Sequence, residues 1–265
     1  MKIPRVLIIA GSDSGGGAGI QADIKTLNSI GVFCATAITS LTAQNTEGVF
    51  EIFDLPPSFI KKQIEIVMED IGADAVKTGM LSNKEIIEVV VEEIKKYKIE
   101  KFVLDPVMKS QTGHDLIKED AKKIMIEELL PLSLIITPNK FEAEEISGIK
   151  IKNFKDIKEA ILRIKEKGVK WVLIKGGHFD GKYAIDYLSN GKEIYEIKSK
   201  RIDTKNTHGS GCTYASCIAG YLAKGFDILT SVRKAKKFVY GAIKNSLEIG
   251  KGIGPINHFW KVKGG

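Results

Sequence analysis

The stretch RVLIIAGSDSGGGAGIQAD, residues 5–23, decides the fold. It begins with a strand-like segment at 5–11, apolar from Val6 onward, passes through a glycine-rich loop, and enters an amphipathic helical pattern that starts at Ala18. A strand that leads directly into a helix is the first half of a βα unit. A strand without polar alternation is typical of a parallel sheet covered on both faces. The segment therefore predicts an α/β fold.

The alternation of strands and helices continues outward from this stretch as far as residue 177. Further strands are predicted at 32–45, 74–80, 101–108, 131–139 and 170–177. Helices are predicted at 18–31, 57–71, 83–97, 139–148 and 154–168. Together these segments predict a mostly parallel central sheet with helices on both of its faces.

The region after residue 177 breaks the pattern. Two alternating runs within 182–202 flank Asn190-Gly191, which is the strongest short signal for a β-hairpin. A loop and two helices, at 210–224 and about 227–249, follow the hairpin. Because no linker, repeat or low-complexity segment interrupts the chain, we predict one domain over residues 1–265.

The composition restricts the class of partner. The net charge of +7 arises from 40 Lys and Arg residues, of which only four are Arg, spread along the chain between acidic residues. Nucleic-acid readers cluster their charge and favour Arg, so we expect no nucleic-acid partner. No apolar run reaches the roughly 18 residues of a membrane span. The N-terminus lacks a signal-peptide pattern, so we expect no membrane association and a cytoplasmic location.

The three cysteines do not form a disulfide or zinc pattern, because their number is odd and no Cys-x-x-Cys occurs. Cys34 and Cys217 lie in apolar segments and are expected in the core. Cys212 differs, because it lies where the glycine turn HGSG meets a helix N-terminus. The positive end of the helix dipole is expected to lower the pKa of this thiol.

The glycine-rich loop at 11–19 is expected to approach a ligand closely, because its five glycines would otherwise cost backbone entropy for no purpose. It is not a P-loop, since no Gly-Lys-Ser/Thr follows. Gly17, Gly19 and Ala22 match a relaxed dinucleotide fingerprint. However, the second strand ends in TAQNTEG, without the acidic residue that contacts the NAD ribose. A dinucleotide oxidoreductase is therefore disfavoured.

Polar residues follow several other predicted strands, and the carboxyl ends of parallel strands share one edge of a sheet. Asp105 follows one strand, Asn139 and Glu142 the next, and Lys175 precedes two glycines at a third. The HGSG turn at 208–211 would direct free backbone N–H groups at an anion. An anion cradle, a cationic point charge and carboxylates that can support a metal predict phosphoryl transfer.

Several motifs give the chain a resemblance to a known family. They include IAGSDSGGGAGIQADIKT, TAQNT, KTGML, LDPVM, IKGGH, NTHGSGCT and the C-terminal GKGIGPINHF. With these motifs the chain resembles, nearly end to end, the hydroxymethylpyrimidine/phosphomethylpyrimidine kinases of thiamine biosynthesis, in the ribokinase-like superfamily. The resemblance implies a three-layer α/β/α fold with the small hairpin insertion near 182–202, a homodimer, and use of ATP and Mg²⁺. It implies phosphorylation of 4-amino-5-hydroxymethyl-2-methylpyrimidine and then of its monophosphate.

The resemblance also implies residues that bind the pyrimidine. Gln44 resembles the family residue that bonds the aminopyrimidine, and a carboxamide suits that edge because it offers a donor and an acceptor together. Met80 resembles the apolar residue that, with the Gln, separates these enzymes from vitamin B6 kinases. The other matching substrate positions are Gly11, Ala18, Asp23 and Val107.

A second group of residues resembles the phosphate and nucleotide side of the family's site. Asp105 and Glu142, with Asn139, resemble the metal and phosphate support, and Lys175 resembles the γ-phosphate contact. The residues that resemble the anion hole and nucleotide contacts are Thr207, Gly209, Gly211, Cys212 and, in the last helix, Lys236.

Cys212 stands where the wider superfamily usually has an Asp base. We hypothesise that its thiolate takes the hydroxymethyl proton in the first phosphorylation. The second phosphorylation needs no base, because the attacking phosphate is already anionic.

Three alternatives remain: a pyridoxal or pyridoxine kinase of the same fold, a dinucleotide oxidoreductase, and a pyrimidine- or phosphate-binding protein without turnover. The pair Gln44 and Met80 argues against the first, and Lys175 with the glycine cradles argues against the last. Because the chain stops shortly after GPINHF, we expect no fused thiamine-phosphate synthase.

Overall fold

The computed structural model describes residues 3–261. Nine strands form a single sheet: β1 (Arg5–Asp13), β2 (Phe33–Gln44), β3 (Val49–Asp54), β4 (Ala75–Thr78), β5 (Phe102–Leu104), β6 (Ile135–Ile136), β7 (Trp171–Ile174), β8 (Tyr183–Ser189) and β9 (Ile194–Lys200). The helices are α1 (Gly19–Ser29), α2 (Pro57–Asp70), α3 (Lys84–Lys96), α4 (Glu119–Ile124), α5 (Lys140–Ser147), α6 (Phe154–Glu166), α7 (Ser210–Ala223) and α8 (Ile228–Lys244).

The sheet is mostly parallel, as the sequence predicts. Its strand order is β3-β2-β1-β4-β5-β6-β7-β8-β9. The six strands from β2 to β7 in this order are parallel, whereas β3 at one edge and the pair β8 and β9 at the other run antiparallel to their neighbours. The antiparallel β8 and β9 confirm the hairpin predicted near 182–202.

Helices cover both faces of the sheet, because alternate residues of each strand point to opposite faces. In β1, Leu7 and Ile9 pack into the core beneath α2, α3, α5 and α6. Val6 and Ile8 pack into a second core beneath α1, α7 and α8. Two separate cores on one sheet give the three α/β/α layers that the resemblance implies.

The structure differs from the sequence prediction at three places. β3 was not predicted, because half of its residues are exposed and the others are only partly buried, and because it lies at the edge of the sheet, paired with β2. The strands predicted at 101–108 and 131–139 shorten to β5 and β6, since the residues after Leu104 turn into the cavity described below and Pro131 lies in a short 3₁₀ turn. The last helix ends at Lys244 instead of near residue 249.

Candidate active site

A cavity of about 670 Å³ lies at the carboxyl edge of the parallel strands. The loops that follow β1, β4, β5, β6 and β7 contribute to its lining, together with the end of β2 and the N-terminus of α7. The resemblance implies fourteen site residues between 11 and 212, and thirteen of them line this cavity. They are Gly11, Ala18, Gln44, Met80, Asp105, Val107, Asn139, Glu142, Lys175, Thr207, Gly209, Gly211 and Cys212. Lys236 of α8 also lines it.

Asp23 is the exception, and its prediction as a substrate contact is not supported by its position. Its side chain is fully buried in α1 and does not line the cavity. Its two carboxylate oxygens accept hydrogen bonds from Lys77 Nζ at 2.9 and 3.0 Å, and Ser216 Oγ donates to Oδ1 at 2.5 Å. Asp23 therefore neutralises a buried ammonium group, which would otherwise be costly to desolvate.

Lys77 is a functional candidate that the sequence analysis missed. Its side chain is fully buried in β4, and a Cβ added to the cavity residue Gly79 would lie 3.0 Å from Nζ. Burial alone would lower the pKa of Lys77, but the charge and hydrogen bond of Asp23, together with the charges of Cys212 and Asp105, outweigh burial and raise it above its ordinary value. A fixed positive charge thus lies beneath the floor of the cavity.

Lys175, which directly follows β7, is a cationic residue in the wall of the cavity. Its Nζ lies 3.0 Å from Asp105 Oδ1 and 4.0 Å from Glu142 Oε2, and Thr137 Oγ1 donates to the same Asp105 oxygen at 3.0 Å. The pKa of Lys175 is raised, because the two carboxylates outweigh the effect of burial. The ammonium group is consequently held charged and in one place.

Asn139 and Glu142 line the cavity and also cap the N-terminus of α5. Asn139 Oδ1 accepts from the Glu142 backbone N–H at 3.0 Å, and Glu142 Oε2 accepts from the Asn139 backbone N–H at 2.7 Å. This reciprocal capping box begins α5. Burial raises the pKa of Glu142 to about 7, and the neighbouring Asp105 adds to the increase while Lys175 opposes it.

The N-terminus of α7 closes the cavity between the two glycine-rich loops. Gly209 is the N-cap, with φ of 81°, and a Cβ there would lie 1.8 Å from the carbonyl oxygen of Gly17. At this point the backbones of the two loops are in direct contact. A Cβ on Gly211 would lie 3.5 Å from Lys175 Nζ, so the helix N-terminus faces the buried ammonium group. Two positive features converge on one spot, which suits an anion.

The structure corrects one expectation about Cys212. The side chain is at the predicted place, but burial raises its pKa to about 11, and Lys77 offsets this only in part. Desolvation of the thiolate, with the nearby charges of Asp23 and Asp105, thus outweighs the buried ammonium group of Lys77 and the backbone hydrogen bond from Gly19. The predicted lowering of this pKa is wrong for the structure as it stands. Cys34 and Cys217 are half-buried and buried, and burial raises the pKa of both thiols.

Two carboxylates that were not predicted from the sequence also contribute to the site. Asp13 accepts hydrogen bonds from the backbone N–H groups of Gly15, Gly17 and Ala18, and so shapes the glycine-rich loop. An Asp directly before Ser-Gly-Gly is a recognisable turn signal. Asp186 of β8 accepts from Lys236 Nζ at 2.8 Å.

Asp186 also fixes the surroundings of Lys236. It accepts from Tyr214 Oη and from the Gly176 backbone N–H, both at 2.7 Å. These contacts of Asp186 could not be predicted from the sequence, because the partners lie on different elements.

A divalent metal ion fits this carboxylate arrangement only in combination with a bound phosphate. Within residues 3–261, no group of three or more His, Cys, Asp and Glu side chains is placed to hold a metal. Mg²⁺ is commonly held by one or two carboxylates together with substrate phosphates and water. Asp105 and Glu142, which flank Lys175, match that mode of binding.

A three-layer fold with an anion site of backbone N–H groups opposite a buried lysine defines the class: the fold is that of the ribokinase-like kinases. The chain belongs to the phosphomethylpyrimidine kinase family, whose model matches residues 13–257. A chloroplastic thiamine biosynthetic bifunctional enzyme of Arabidopsis thaliana is 46% identical over 99% of this chain. The hydroxymethylpyrimidine/phosphomethylpyrimidine kinase of Bacillus subtilis is 44% identical over 98% of it.

The chain spans about half the length of the bifunctional relatives, 51% of the Arabidopsis enzyme, but 96% of the Bacillus subtilis kinase. Among solved structures, the phosphomethylpyrimidine kinase of Clostridium difficile is 48% identical, with a TM-score of 0.81 over 92% of this chain and all of that one. A Bacillus subtilis pyridoxal kinase is 36% identical, with a TM-score of 0.92 over 99% of this chain and all of that one.

No helix among the residues between Ile3 and Lys261 is long and apolar enough to cross a bilayer.

Proposed function

We propose that this protein transfers a phosphoryl group from ATP to 4-amino-5-hydroxymethyl-2-methylpyrimidine and then to the resulting monophosphate. The observation that carries the proposal is the arrangement of the cavity. A carboxamide, Gln44, and an apolar side chain, Met80, line the same space as Lys175 and the N-terminus of α7. Family membership supports the same assignment.

In this proposal, the neutral residues of the cavity bind the pyrimidine ring, and the cationic and backbone N–H groups bind phosphate. Gln44 offers a donor and an acceptor to the aminopyrimidine edge, and Gly11, Ala18, Met80 and Val107 provide the walls around the ring. Lys175 contacts the γ-phosphate as a fixed point charge. The backbone N–H groups at Gly209, Gly211 and Cys212 stabilise the negative charge that develops on the transferred phosphoryl group. These residues were assigned by the resemblance, and their placement in one cavity supports that assignment.

The nucleotide side consists of Asn139, Thr207, Lys175 and Lys236, with Asp105 and Glu142 as the residues that would hold Mg²⁺. When bound, Mg²⁺ would neutralise phosphate charge. Lys236 forms an ion pair with Asp186, so a phosphate or ribose would have to compete with that pair.

Further parts of the proposal concern organisation. We include in it a single domain, a cytoplasmic location and a homodimer. The edge strand β3 supports the homodimer, because Phe50 and Phe53 on it are 69% and 61% exposed. Light scattering coupled to size-exclusion chromatography tests the dimer, and a monomer at micromolar concentration would contradict it. A chloroplastic relative makes cell fractionation the test of location.

A coupled ADP-release assay with three acceptors tests the function. We expect turnover with the pyrimidine alcohol and with its monophosphate, and weaker turnover with pyridoxal. Likeness to a pyridoxal kinase supports pyridoxal kinase as a second candidate. A preference for pyridoxal would establish that alternative, whereas binding without ADP release would indicate a non-catalytic protein.

A further inference from the structure

The cavity contains a hydrogen-bond chain whose proton positions can be deduced. Asp13 receives three backbone N–H groups: that of Gly15 on Oδ1 at 2.8 Å, and those of Gly17 and Ala18 on Oδ2 at 3.0 and 2.7 Å. His208 Nε2 lies 2.9 Å from the same Oδ2. Burial alone would raise the pKa of Asp13, but the hydrogen bonds from His208 and Ala18 lower it below its ordinary value. Asp13 is therefore an ionised acceptor.

It follows that His208 carries a proton on Nε2, because a carboxylate can only accept. This nitrogen has no lone pair left for a second donor. The structure places the amide nitrogen of Gln44 3.3 Å from it. Two N–H groups would then face each other. Because the nitrogen and oxygen of a carboxamide are assigned from the hydrogen-bond network, that network requires the carbonyl oxygen at this position.

Thr42, on the other side of the Gln44 carboxamide, requires the same orientation of that group. Its hydroxyl has one proton, and Oγ1 lies 2.9 Å from the Ser12 carbonyl oxygen and 3.1 Å from the carboxamide atom placed as Gln44 Oε1. One proton cannot serve both acceptors. With the proton in the shorter bond, to Ser12, Oγ1 can only accept from the carboxamide, so the atom that faces it must be the NH₂ group. Carboxamide nitrogen and oxygen are nearly the same size, so a half-turn of the Gln44 head satisfies both neighbours without changing the packing.

We propose that Asp13, His208 and Thr42 are positioning residues that hold the Gln44 carboxamide in one orientation, with its oxygen toward His208 and its nitrogen toward Thr42, and that this orientation selects an aminopyrimidine over pyridoxal. The inference rests on the proposed function. The selection is chemical, because it fixes where the cavity presents an acceptor and where it presents a donor.

The orientation matches the substituents of the two alcohols. In the pyrimidine, the amino group is the neighbour of the hydroxymethyl group and donates to the Gln44 oxygen, while the adjacent ring nitrogen accepts from the NH₂ group. In pyridoxal, a formyl group occupies the position next to the phosphorylated hydroxymethyl group. A formyl oxygen cannot donate and would face the carboxamide oxygen. A buried acceptor left without a donor discriminates strongly between such analogues.

The same orientation places the reacting group. The amino group lies on the His208 side, so the adjacent hydroxymethyl group lies on that side too. His208 directly precedes Gly209 and the N-terminus of α7. The alcohol is therefore directed toward Cys212 and the anion site, and not toward Thr42 on β2.

Two substitutions on different elements test the proposal. His208→Phe retains a ring against Gly17 and Pro255 but removes the N–H group, and Thr42→Val retains the shape but removes the acceptor. We expect the ratio of kcat/KM for the pyrimidine to kcat/KM for pyridoxal to fall at least roughly tenfold in each, since the head is free to turn. Thr42→Ser, which keeps the hydroxyl, is expected to retain the wild-type ratio.

A purely structural role would lower kcat/KM for both alcohols together, and an unchanged ratio in both variants would overturn the proposal. Neutron diffraction from deuterium-exchanged wild-type crystals tests it without substitution. Deuterons on the Gln44 atom facing Thr42 are expected, and deuterons on the atom facing His208 would overturn it. A wild type that phosphorylates neither alcohol overturns the proposed function itself, whereas a pyrimidine-specific wild type with unchanged variants overturns this inference alone.

Discussion

At the scale of single residues, the cavity is organised by pairing each buried charge with an opposite one. Lys175 faces Asp105 and Glu142, Lys77 faces Asp23, and Lys236 faces Asp186. Such pairs hold the positive groups in place before any anion arrives, so little reorganisation is needed during the reaction. The charges also depend on one another, and removal of one partner leaves the other buried and uncompensated.

Replacement of Lys175 by Met tests the central cation. We expect kcat/KM for the pyrimidine alcohol to fall roughly 100- to 1000-fold, because one preorganised charge opposite the transferred phosphate is lost. The coupled ADP-release assay measures the effect. Lys150→Met is the matched control, since Lys150 is 82% exposed and forms only a surface pair with Glu144. Equal losses in the two variants would contradict the assigned role.

Replacement of Cys212 by Ala separates its two possible roles. If the thiolate takes the hydroxymethyl proton, the first phosphorylation should suffer far more than the second. With a pKa of about 11, the thiolate fraction rises nearly tenfold per pH unit between pH 7 and 9. The wild-type rate of the first step should therefore rise with pH in this range more steeply than that of the second. Parallel pH profiles and equal losses in both steps would leave Cys212 a packing role.

The residues of the site were predicted unequally well from sequence. The rule that ligands bind where parallel strands end placed Asp105, Asn139 and Lys175 correctly in the cavity. This rule did not identify Lys77 and Asp186, because both act through contacts with elements far away in the chain. Asp23 as a substrate contact stays a prediction, and nothing in AGIQAD shows that its carboxylate pairs with the buried Lys77.

At the scale of elements, the presence and order of the parallel strands were easier to predict than their length. The hairpin of β8 and β9 was recognised from Asn190-Gly191, although the loop that joins the strands has four residues, from Asn190 to Glu193, instead of two. Asn190 Oδ1 accepts from the backbone N–H groups of Lys192 and Glu193, which organises this longer loop. β3 has no comparable local signal, because its pairing with β2 is what makes it a strand.

The close approach of β8 to the loop after β7 is testable with two adjacent glycines. A Cβ on Gly176 would lie 1.9 Å from the Ile185 carbonyl oxygen, whereas a Cβ on Gly177 meets nothing within 4 Å. We expect Gly176→Ala to lower the free energy of unfolding by about 1–3 kcal/mol, because backbone must move to relieve the overlap. Gly177→Ala should change it by less than about 0.5 kcal/mol. Urea denaturation measures both, and similar values would contradict the predicted contact.

At the scale of the whole molecule, the two faces of the sheet are built in different ways. One core is covered by α2 to α6 in chain order, whereas the other is covered by α1 and by α7 and α8. The segment after α8 then returns to the glycine-rich loops, where His208 and Pro255 pair. His258 lies buried at this junction, with Nε2 3.0 Å from Thr213 Oγ1.

His258 should make stability depend on pH. Burial, assisted by Lys25 and His208, lowers the pKa of His258 to about 4, against about 6.5 in an unfolded chain. Between these values the unfolded state binds a proton that the native state does not. Stability is therefore complete above about pH 6.5 and is lost as the pH falls toward 4, by up to about 3 kcal/mol.

Urea denaturation between pH 4 and 8 measures this loss. His258→Gln should flatten the pH dependence in that range, while substitution of the exposed His114 by Gln should leave it as in the wild type. A wild-type slope that survives in His258→Gln would assign the effect to other groups.

The order in which the two cores are covered has a consequence for synthesis on the ribosome. A nascent chain that ends before residue 209 already contains β1 and β4 to β7 with the helices of one layer, but lacks α7 and α8. Val6, Val103 and Leu173 would then present an apolar sheet face covered by α1 alone, a target for chaperones and for aggregation. The anion site would be missing too, so the growing polypeptide has no complete cavity until α7 and α8 have been synthesised.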